Sequence, residues 1–288
     1  MAKSVRSKRP RVVKTVKALR EVVAEWRKRR AAVAMVPTMG ALHSGHISLV
    51  DTAKKHAKKI VASIFVNPTQ FGPNEDYTRY PRTFEADLDK LGEAGADIVF
   101  APDVKEMYPE GFSTKLAPEG AASVGLDDKF RPGHFEGVAT VVAKLLIACG
   151  PDVAIFGEKD YQQLQVIKAL VRDLGLPVKI IGGAIVREKD GLALSSRNVY
   201  LSHSERAAAP VLHQTLKEAA RAISRGEMLE PVLSKARTKI AAAGFKLDYF
   251  EARDATTLLP PHPGQKTKLR LLVAAKLGKT RLIDNVGV

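Results

Sequence analysis

The sequence predicts an α/β protein with a parallel sheet, joined to a smaller α+β domain at its C-terminal end. Through residues 1–187, short apolar runs alternate with longer segments whose apolar residues recur at helical spacing. The run over 60–66 is almost wholly apolar, which is typical of a strand buried on both faces. Such alternation predicts parallel pairing, with helices covering both faces of the sheet. Beyond residue 187 helices precede strands, so we expect a second domain over 188–288.

Each element is predicted from its apolar spacing and from the turn residues that flank it. The predicted elements of the first domain are helix 15–29, strand 31–36, helix 46–58, strand 60–66, helix 83–94, strand 97–101, helix 135–148, strand 153–156, helix 161–174 and strand 178–186. Those of the second domain are helices 203–224 and 229–243 and strands 246–251, 269–275 and 281–286. The basic leader over 1–12 is typical of a solvated arm, and we expect it to be flexible.

Composition limits the class of protein. The chain has 288 residues, 45% of them hydrophobic, which is enough to form a sizeable core. It contains no apolar run of about 18 residues, the length that a membrane span needs, and no apolar stretch typical of a secretory signal. A single cysteine, Cys149, excludes an intramolecular disulfide framework and, after apolar neighbours, is predicted to be a buried, unreactive thiol. We therefore expect a cytoplasmic protein without a membrane partner.

The net charge of +15 raises the question of nucleic-acid binding. Most of the excess lies in residues 1–30, which hold twelve Lys and Arg residues against two Glu. Aromatic residues make up only 6% of the chain, and no nucleic-acid-binding signature is present. We therefore expect no nucleic-acid partner, and the remaining excess suits small polyanionic ligands.

The strongest chemical signal is the segment VPTMGALHSGH over 36–46. It places His43 and His46 where a predicted strand is followed by a helix, so that helix N–H groups and the helix dipole favour phosphate. Gly45 allows close backbone approach to a ligand, and imidazole can donate to a phosphate oxygen. By itself the motif leaves open a surface histidine pair or part of a metal site, although a zinc site would need a third ligand.

Three further segments lie at predicted strand ends or in loops. They are FVNPTQFGPNED over 65–76 with YPRT over 80–83, FGEKDYQQ over 156–163, and VRE over 186–188 with LSSRN over 194–198. Together with the histidine segment, they resemble the pantoate–β-alanine ligase family within the HxGH nucleotidylyltransferase superfamily. The resemblance runs from about residue 31 to residue 202, in the order and spacing of the family, and is weaker beyond. It implies a Rossmann-like first domain, with the second domain closing over the site.

The resemblance also implies the reaction and its participants. The activity would be ATP-dependent ligation of (R)-pantoate with β-alanine, through pantoyl adenylate, to give pantothenate, AMP and pyrophosphate. ATP would act with Mg²⁺, and the protein would be a homodimer. A plain nucleotidylyltransferase, which leaves AMP on its product, stays the alternative, because HxGH by itself does not separate the two. Gln70 and Gln163 in their family contexts favour the ligase.

The resemblance also implies the site residues, carried over position by position onto the matching motifs. His46 is the predicted catalytic residue and proton donor. The predicted ATP-binding residues are Met39, Gly40, His43, Gly45, His46, Gly157, Lys159, Asp160, Val186, Leu194, Ser195, Ser196 and Arg197. The predicted residues for pantoate and β-alanine are Asn67, Gln70 and Gln163, and no protein ligand to a metal is assigned.

The side-chain chemistry suits these roles. Lys159 is a compact cation for the β- and γ-phosphates, and Arg197 can contact two oxygens with its planar guanidinium. Gln70 and Gln163 offer the donor and acceptor that a hydroxy acid requires. Considered singly, a Lys–Asp pair is more often part of a helix cap, and glutamines are more often surface amides; their joint order carries the prediction.

Two further residues lie near the predicted site in the sequence. Arg131 is expected close to the substrate pocket. Asp87, on helix 83–94, is expected to be an exposed helical carboxylate, although an indirect role in metal binding is the alternative.

Overall fold

The computed structural model describes residues 9–73, 75–262, 264–265 and 268–288. In these residues the β-strands are β1 Arg11–Val13, β2 Val33–Thr38, β3 Lys59–Ile64, β4 Ile98–Phe100, β5 Val153–Gly157, β6 Lys179–Gly183, β7 Lys246–Asp254, β8 Leu269–Leu277 and β9 Thr280–Gly287. The α-helices are α1 Val16–Lys28, α2 Ser44–Lys54, α3 Phe84–Ala94, α4 Val104–Met107, α5 Asp127–Phe130, α6 His134–Cys149, α7 Tyr161–Asp173, α8 His203–Ala208, α9 Val211–Ser224 and α10 Leu229–Ala242. Short 3₁₀ turns lie at Pro68–Gln70, Gly120–Ala122, Glu158–Asp160 and Ser196–Tyr200.

The chain forms two compact units whose segments interleave. The first unit comprises Met1–Pro118, Gly133–Gly157 and Ile167–Gly183. The second comprises Glu119–Pro132, Glu158–Val166 and Ala184–Val288.

The first unit contains a six-stranded sheet in the order β1-β4-β3-β2-β5-β6, and every pair in it is parallel. From β2 the chain continues to β3 and β4 on one side, whereas β5 and β6 lie on the other. The strand order therefore reverses between β2 and β5, and in open α/β sheets ligands bind outside the carboxyl ends of the strands at such a reversal. This sheet confirms the predicted parallel α/β architecture.

Both faces of β2, in the middle of this sheet, are buried. Successive residues of β2 point to opposite faces, yet Val33, Ala34, Met35 and Val36 are all fully buried. Ala34 and Val36 belong to a core cluster with residues of α2 and α3, including Leu49 of α2. A strand covered on both sides needs apolar residues at every position, which is why the predicted strands are continuous apolar runs.

The second unit has its own core. Strands β7, β8 and β9 form an antiparallel sheet in that order, and α9 and α10 pack against it. The main apolar residues of this cluster are Leu212, Leu216, Ile223, Leu233, Ile240, Phe250, Leu271 and Val273. The smaller α+β unit is therefore confirmed, with strands longer than predicted.

The boundary between the units is not the single division at residue 187 that the sequence predicts. Two earlier segments, Glu119–Pro132 and Glu158–Val166, belong to the same unit as Ala184–Val288. Asp127 accepts hydrogen bonds from the Tyr249 hydroxyl at 2.9 Å and from Arg281 Nη2 at 2.7 Å. The carbonyls of Glu158 and Lys159 each accept a hydrogen bond of 2.9 Å from Asn285 Nδ2. These contacts hold residues 119–132 and 158–166 against the antiparallel sheet.

Two local predictions are wrong. The leader was expected to be flexible through residue 12, but Arg11 and Val12 pair in parallel with β4; residues 1–8 lie outside the described part of the chain. The single helix predicted over 203–224 is two helices. Pro210 lies between α8 and α9, and because proline has no backbone N–H it cannot continue the hydrogen bonds of α8.

Cys149 lies at the end of α6 and is buried, as predicted. Burial raises the pKa of its thiol to about 12, so the thiolate is scarce at neutral pH. In the part of the chain that the structure describes, no helix is long and apolar enough to cross a membrane.

Candidate active site

The predicted histidines lie on the turn between β2 and α2. His43 is the N-cap of α2, and its Nδ1 accepts a hydrogen bond of 3.2 Å from the Gly45 N–H. His46 Nδ1 accepts in turn from the His43 N–H at 3.3 Å, and the two ring centroids are 4.1 Å apart. Because each Nδ1 is an acceptor, the neutral rings carry their protons on Nε2. The turn therefore fixes two imidazoles as Nε2–H donors at a helix N-terminus, where anions are favoured.

Two residues of the turn before His43 have the left-handed backbone conformation. Gly40 has φ +83° and Ala41 has φ +51°. A Cβ on Gly40 would lie 3.1 Å from Ile64 Cγ2 and 3.2 Å from Asp87 Oδ2, so glycine is required there for both conformation and space. Met39, the residue before this turn, places its Sδ 3.1 Å from Gln70 Nε2.

The expectation that Asp87 is exposed is wrong. Its side chain is on α3 and is fully buried. Oδ2 accepts from the Ala41 N–H and Oδ1 from the Leu42 N–H, each at 2.8 Å, and Thr83 Oγ1 donates to Oδ1 at 3.1 Å. The carboxylate is buried because it supplies acceptors to a turn that makes no sheet or helix bonds at these two positions.

Asn67 and Gln70 lie together after β3. Asn67 is 1% exposed; its Nδ2 donates to Gln70 Oε1 at 3.2 Å and to the Gly137 carbonyl at 3.2 Å. Asn67 Oδ1 accepts from the Tyr108 hydroxyl at 2.8 Å, and burial raises the pKa of that phenol. The contact with Asn67 assigns oxygen to Oε1 of Gln70 and leaves Nε2 as the donating end of its amide.

Three residues around this pair were not predicted from the sequence. Tyr108 orients Asn67, and His134 Nδ1 lies 2.9 Å from the Gln70 carbonyl oxygen. Gly137 on α6 packs directly against the turn at Pro68–Gln70, where a Cβ would overlap the Thr69 carbonyl. Gly137 follows the motif-like segment RPGHF, but nothing in the sequence indicates that α6 touches the turn after β3.

Lys159 and Asp160 lie in the 3₁₀ turn that precedes α7, in the second unit. Lys159 Nζ is 3.8 Å from Asp160 Oδ2, and the Lys159 side chain is 20% exposed. Asn285 Nδ2 holds the carbonyls of the turn, and Arg270 Nε donates to Asn285 Oδ1 at 2.7 Å. The Arg270 guanidinium also lies over the Tyr161 ring at 4.1 Å. Asn285 and Arg270 therefore fix the backbone that carries Lys159.

The two adjacent glutamines at the start of α7 differ in environment. Gln162 is 3% exposed; its Oε1 accepts from the Asp127 N–H at 2.9 Å, and its Nε2 donates to Asp128 Oδ1 at 2.8 Å. Gln163 is only partly buried. Gln162 therefore serves the structure of the second unit, whereas Gln163, the predicted substrate residue, is the more accessible amide. Arg131 follows α5 in the same unit.

The predicted phosphate loop begins with a hairpin-like turn. The Leu194 N–H donates to the Val186 carbonyl at 3.0 Å, which brings together two predicted ATP-binding positions. Ser195 Oγ then accepts from the Arg197 N–H at 3.3 Å and caps the 3₁₀ turn containing Ser196 and Arg197.

A buried ion pair supports this hairpin. Arg187 Nη1 and Nη2 contact the two carboxylate oxygens of Asp284 at 2.6 and 2.8 Å, and Nη1 also donates to the Gly191 carbonyl. His213 Nδ1 is 3.7 Å from Asp284 Oδ2, but burial and the Arg187 charge lower the pKa of His213. Asp284 is therefore paired with Arg187, and His213 stays neutral at pH 7.

The predicted residues thus divide between the units. Those in the first unit are Met39, Gly40, His43, Gly45, His46, Asn67, Gln70 and Gly157. Those in the second unit are Lys159, Asp160, Gln163, Val186, Leu194, Ser195, Ser196 and Arg197. Gly157 ends β5, the strand next to β2 at the reversal of strand order.

Comparison with known proteins decides the family. The family model for pantoate–β-alanine ligase matches residues 11–287. The chain belongs to the pantoate–β-alanine ligase family. A pantothenate synthetase of Rhodopseudomonas palustris is 57% identical over 98% of this chain and all of the relative, and pantothenate synthetase 2 of Bradyrhizobium diazoefficiens is 56% identical over the same shares. These matches confirm the resemblance seen in the motifs and extend it through the C-terminal third.

Solved structures of the family share the fold. The pantothenate synthetase of Thermus thermophilus aligns over 96% of this chain and 99% of its own, with a TM-score of 0.91 and 47% identity. The pantoate–β-alanine ligase of Francisella tularensis, complexed with β,γ-ATP and β-alanine, aligns over 96% and 97%, with a TM-score of 0.81 and 37% identity.

We expect Gly137→Ala to lower stability and to weaken pantoate use. The added methyl would displace the turn that carries Gln70, and such overpacking typically costs about 1–3 kcal/mol. Thermal unfolding and the KM for pantoate measure the two effects. Gly157→Ala is the control for stability, because its Cβ would meet no atom within 4 Å. An unchanged melting temperature in Gly137→Ala would contradict the packing argument.

Proposed function

We propose that this chain joins pantoate to β-alanine at the expense of ATP, in two half-reactions. The pantoate carboxylate attacks the α-phosphorus of ATP, which forms pantoyl adenylate and releases pyrophosphate. The β-alanine amine then attacks the acyl carbon, loses a proton and expels AMP, which leaves pantothenate. Membership of the family over residues 11–287 supports this activity.

The observation that carries the chemistry is the reciprocal capping of His43 and His46. Their Nδ1 atoms accept backbone hydrogen bonds, so their Nε2–H groups can donate to phosphate oxygens as negative charge moves toward pyrophosphate. His46 is the proposed catalytic residue. Gly40, Gly45 and Met39 supply the backbone around this site.

Residues of the second unit are proposed to bind the remainder of ATP. Lys159 and Arg197 neutralise phosphate charge, and Ser195 and Ser196 donate to phosphate oxygens. Gly157 and Asp160 hold the ribose. Val186 and Leu194, which share a backbone hydrogen bond, form part of the nucleotide site.

Pantoate is proposed to bind through Gln70 and Gln163, with Asn67 orienting Gln70. The contact between Asn67 Nδ2 and Gln70 Oε1 directs the Gln70 amide, and a directed donor discriminates a hydroxy acid from an analogue that lacks the hydroxyl. Gln70 is also placed near β-alanine.

Mg²⁺ is proposed to accompany ATP. Among the described residues, no group of three or more His, Cys, Asp or Glu side chains could hold a metal ion, and both oxygens of Asp87 already accept backbone N–H groups. The residues that the structure describes therefore do not form a protein-built metal site, and the phosphates and water would supply the ligands of Mg²⁺. We further propose a homodimer that works in the cytoplasm with small molecules as its partners.

We expect His46→Ala to slow adenylate formation by about a hundredfold or more, because loss of one transition-state donor typically costs about 2.7–4 kcal/mol. Pantoate-dependent exchange between pyrophosphate and ATP measures this half-reaction. Near-normal exchange in the variant would remove His46 from the chemistry. His56→Ala, which changes an exposed histidine just after α2, is the matched control.

Gln163→Ala should impair pantoate binding far more than ATP binding, since it leaves a substrate oxygen without its partner. Calorimetry with ATP alone, and then with pantoate, separates the two effects. Equal weakening of both ligands would mean that Gln163 does not belong to the pantoate pocket.

Arg197→Lys keeps the charge but loses the planar guanidinium, so we expect a large defect in adenylation. Supplying pantoyl adenylate with β-alanine should bypass most of that defect, because pyrophosphate is no longer displaced. An equally severe defect in the bypass reaction would assign Arg197 to the acyl intermediate instead of the phosphates.

A further inference from the structure

The proposed catalytic turn is held by one face of α3 and the residue that caps it. Thr83, Asp87 and Lys90 follow one another at helical spacing, and each takes part in the contact. Asp87 accepts the Ala41 and Leu42 N–H groups, Thr83 donates to Asp87, and Lys90 Nζ donates to the Leu42 carbonyl at 2.5 Å. Both backbone polar groups of Leu42 are therefore bound by α3, one residue before His43.

We propose that Asp87 is a positioning residue for adenylation: its carboxylate sets the path of residues 40–42, and so places the imidazoles of His43 and His46. This inference rests on the proposed function of the histidine turn. It assigns to Asp87 a role through the backbone, not through contact with substrate.

The chemistry of the site requires a carboxylate. Two N–H groups diverge toward two separate oxygens at equal distances of 2.8 Å, and a third donor approaches Oδ1. Asparagine has nearly the same shape but offers one oxygen, so its NH₂ group would face either Ala41 or Leu42 donor to donor. An N–H group that faces the fully buried Asp87 side chain without an acceptor is costly, and the turn would move to find one.

Movement of this turn bears directly on His43. The turn already uses left-handed backbone at Gly40 and Ala41, and Gly40 approaches Asp87 closely. His43 supplies both the cap of α2 and the N–H group that fixes His46. A shift of about 1 Å in a catalytic group can cost about a hundredfold in rate.

Asp87→Asn tests the proposal, with Asp89→Asn as the matched control. Asp89 lies on the same helix, but it is exposed and paired with Arg9 at the surface. We expect Asp87→Asn to reduce pantoate-dependent pyrophosphate–ATP exchange by about tenfold to a hundredfold. The reaction of supplied pantoyl adenylate with β-alanine should fall by less than about threefold, and Asp89→Asn should leave both reactions unchanged.

A merely structural role predicts a different pattern. The proposal would be overturned if folded Asp87→Asn protein lost rate equally in both half-reactions. Normal pyrophosphate–ATP exchange in that variant would overturn it as well. If Asp87→Asn does not fold, Lys90→Met decides. This variant removes the donor to the Leu42 carbonyl and leaves Asp87 in place. It should slow pyrophosphate–ATP exchange by a few-fold and leave the reaction of supplied pantoyl adenylate unchanged. Unchanged pyrophosphate–ATP exchange would overturn the proposal.

Amide hydrogen exchange separates this inference from the proposed function. Faster exchange at Ala41 and Leu42 in Asp87→Asn, with α6 unchanged, is expected whether or not His46 takes part in catalysis. Unchanged exchange at these amides would overturn the role of Asp87 in holding the turn, whereas a normal reaction rate in His46→Ala would overturn the role of the turn in adenylation.

Discussion

In the turn after β2, backbone N–H groups no longer have partners in the sheet and need other hydrogen-bond acceptors. The side chains that accept these hydrogen bonds set the geometry of the candidate site in the first unit. Asp87 accepts two of them, and the imidazoles of His43 and His46 accept two more. The same bonds that stabilise the turn therefore fix the tautomer of each histidine. The hydrogen bonds that the backbone requires also keep each Nε2–H group in place as a donor, because an imidazole that turned away would leave an N–H group without an acceptor.

The second unit meets the corresponding requirement with side chains of its antiparallel sheet. Asn285 on β9 donates to two carbonyls of the turn that carries Lys159, and the neighbouring Asp284 binds Arg187 with both oxygens. These anchors are buried, whereas Lys159 and Arg197 remain partly accessible. In both units, buried polar residues from distant parts of the chain hold short loops, and the loops carry the proposed ligand contacts.

Several elements could be predicted from local pattern because their environment is uniform. The apolar run over 60–66 predicted a strand buried on both faces, and β3 forms over Lys59–Ile64 with its four central residues buried. Likewise, α3 matched its predicted bounds within one residue. Prediction was wrong where a single residue or a distant partner decided the outcome. Pro210 divides a segment whose apolar spacing is helical throughout, and β1 forms because three residues pair with β4, 87 residues later in the chain.

The sequence by itself determined the fold class, the family and the motif residues of the candidate site, because apolar period and contiguous motifs are local properties. Only the tertiary structure decided which polar residues support them. From its place on the predicted helix, Asp87 was expected to be a surface carboxylate. It is buried because α3 lies against the turn at Ala41 and Leu42. Likewise, Gln162 and Gln163 are adjacent and identical in type, yet Asp127 and Asp128 from a separate segment bind Gln162 alone. Contacts between residues far apart in the chain leave no local pattern, so the supporting residues become visible only once the chain is folded.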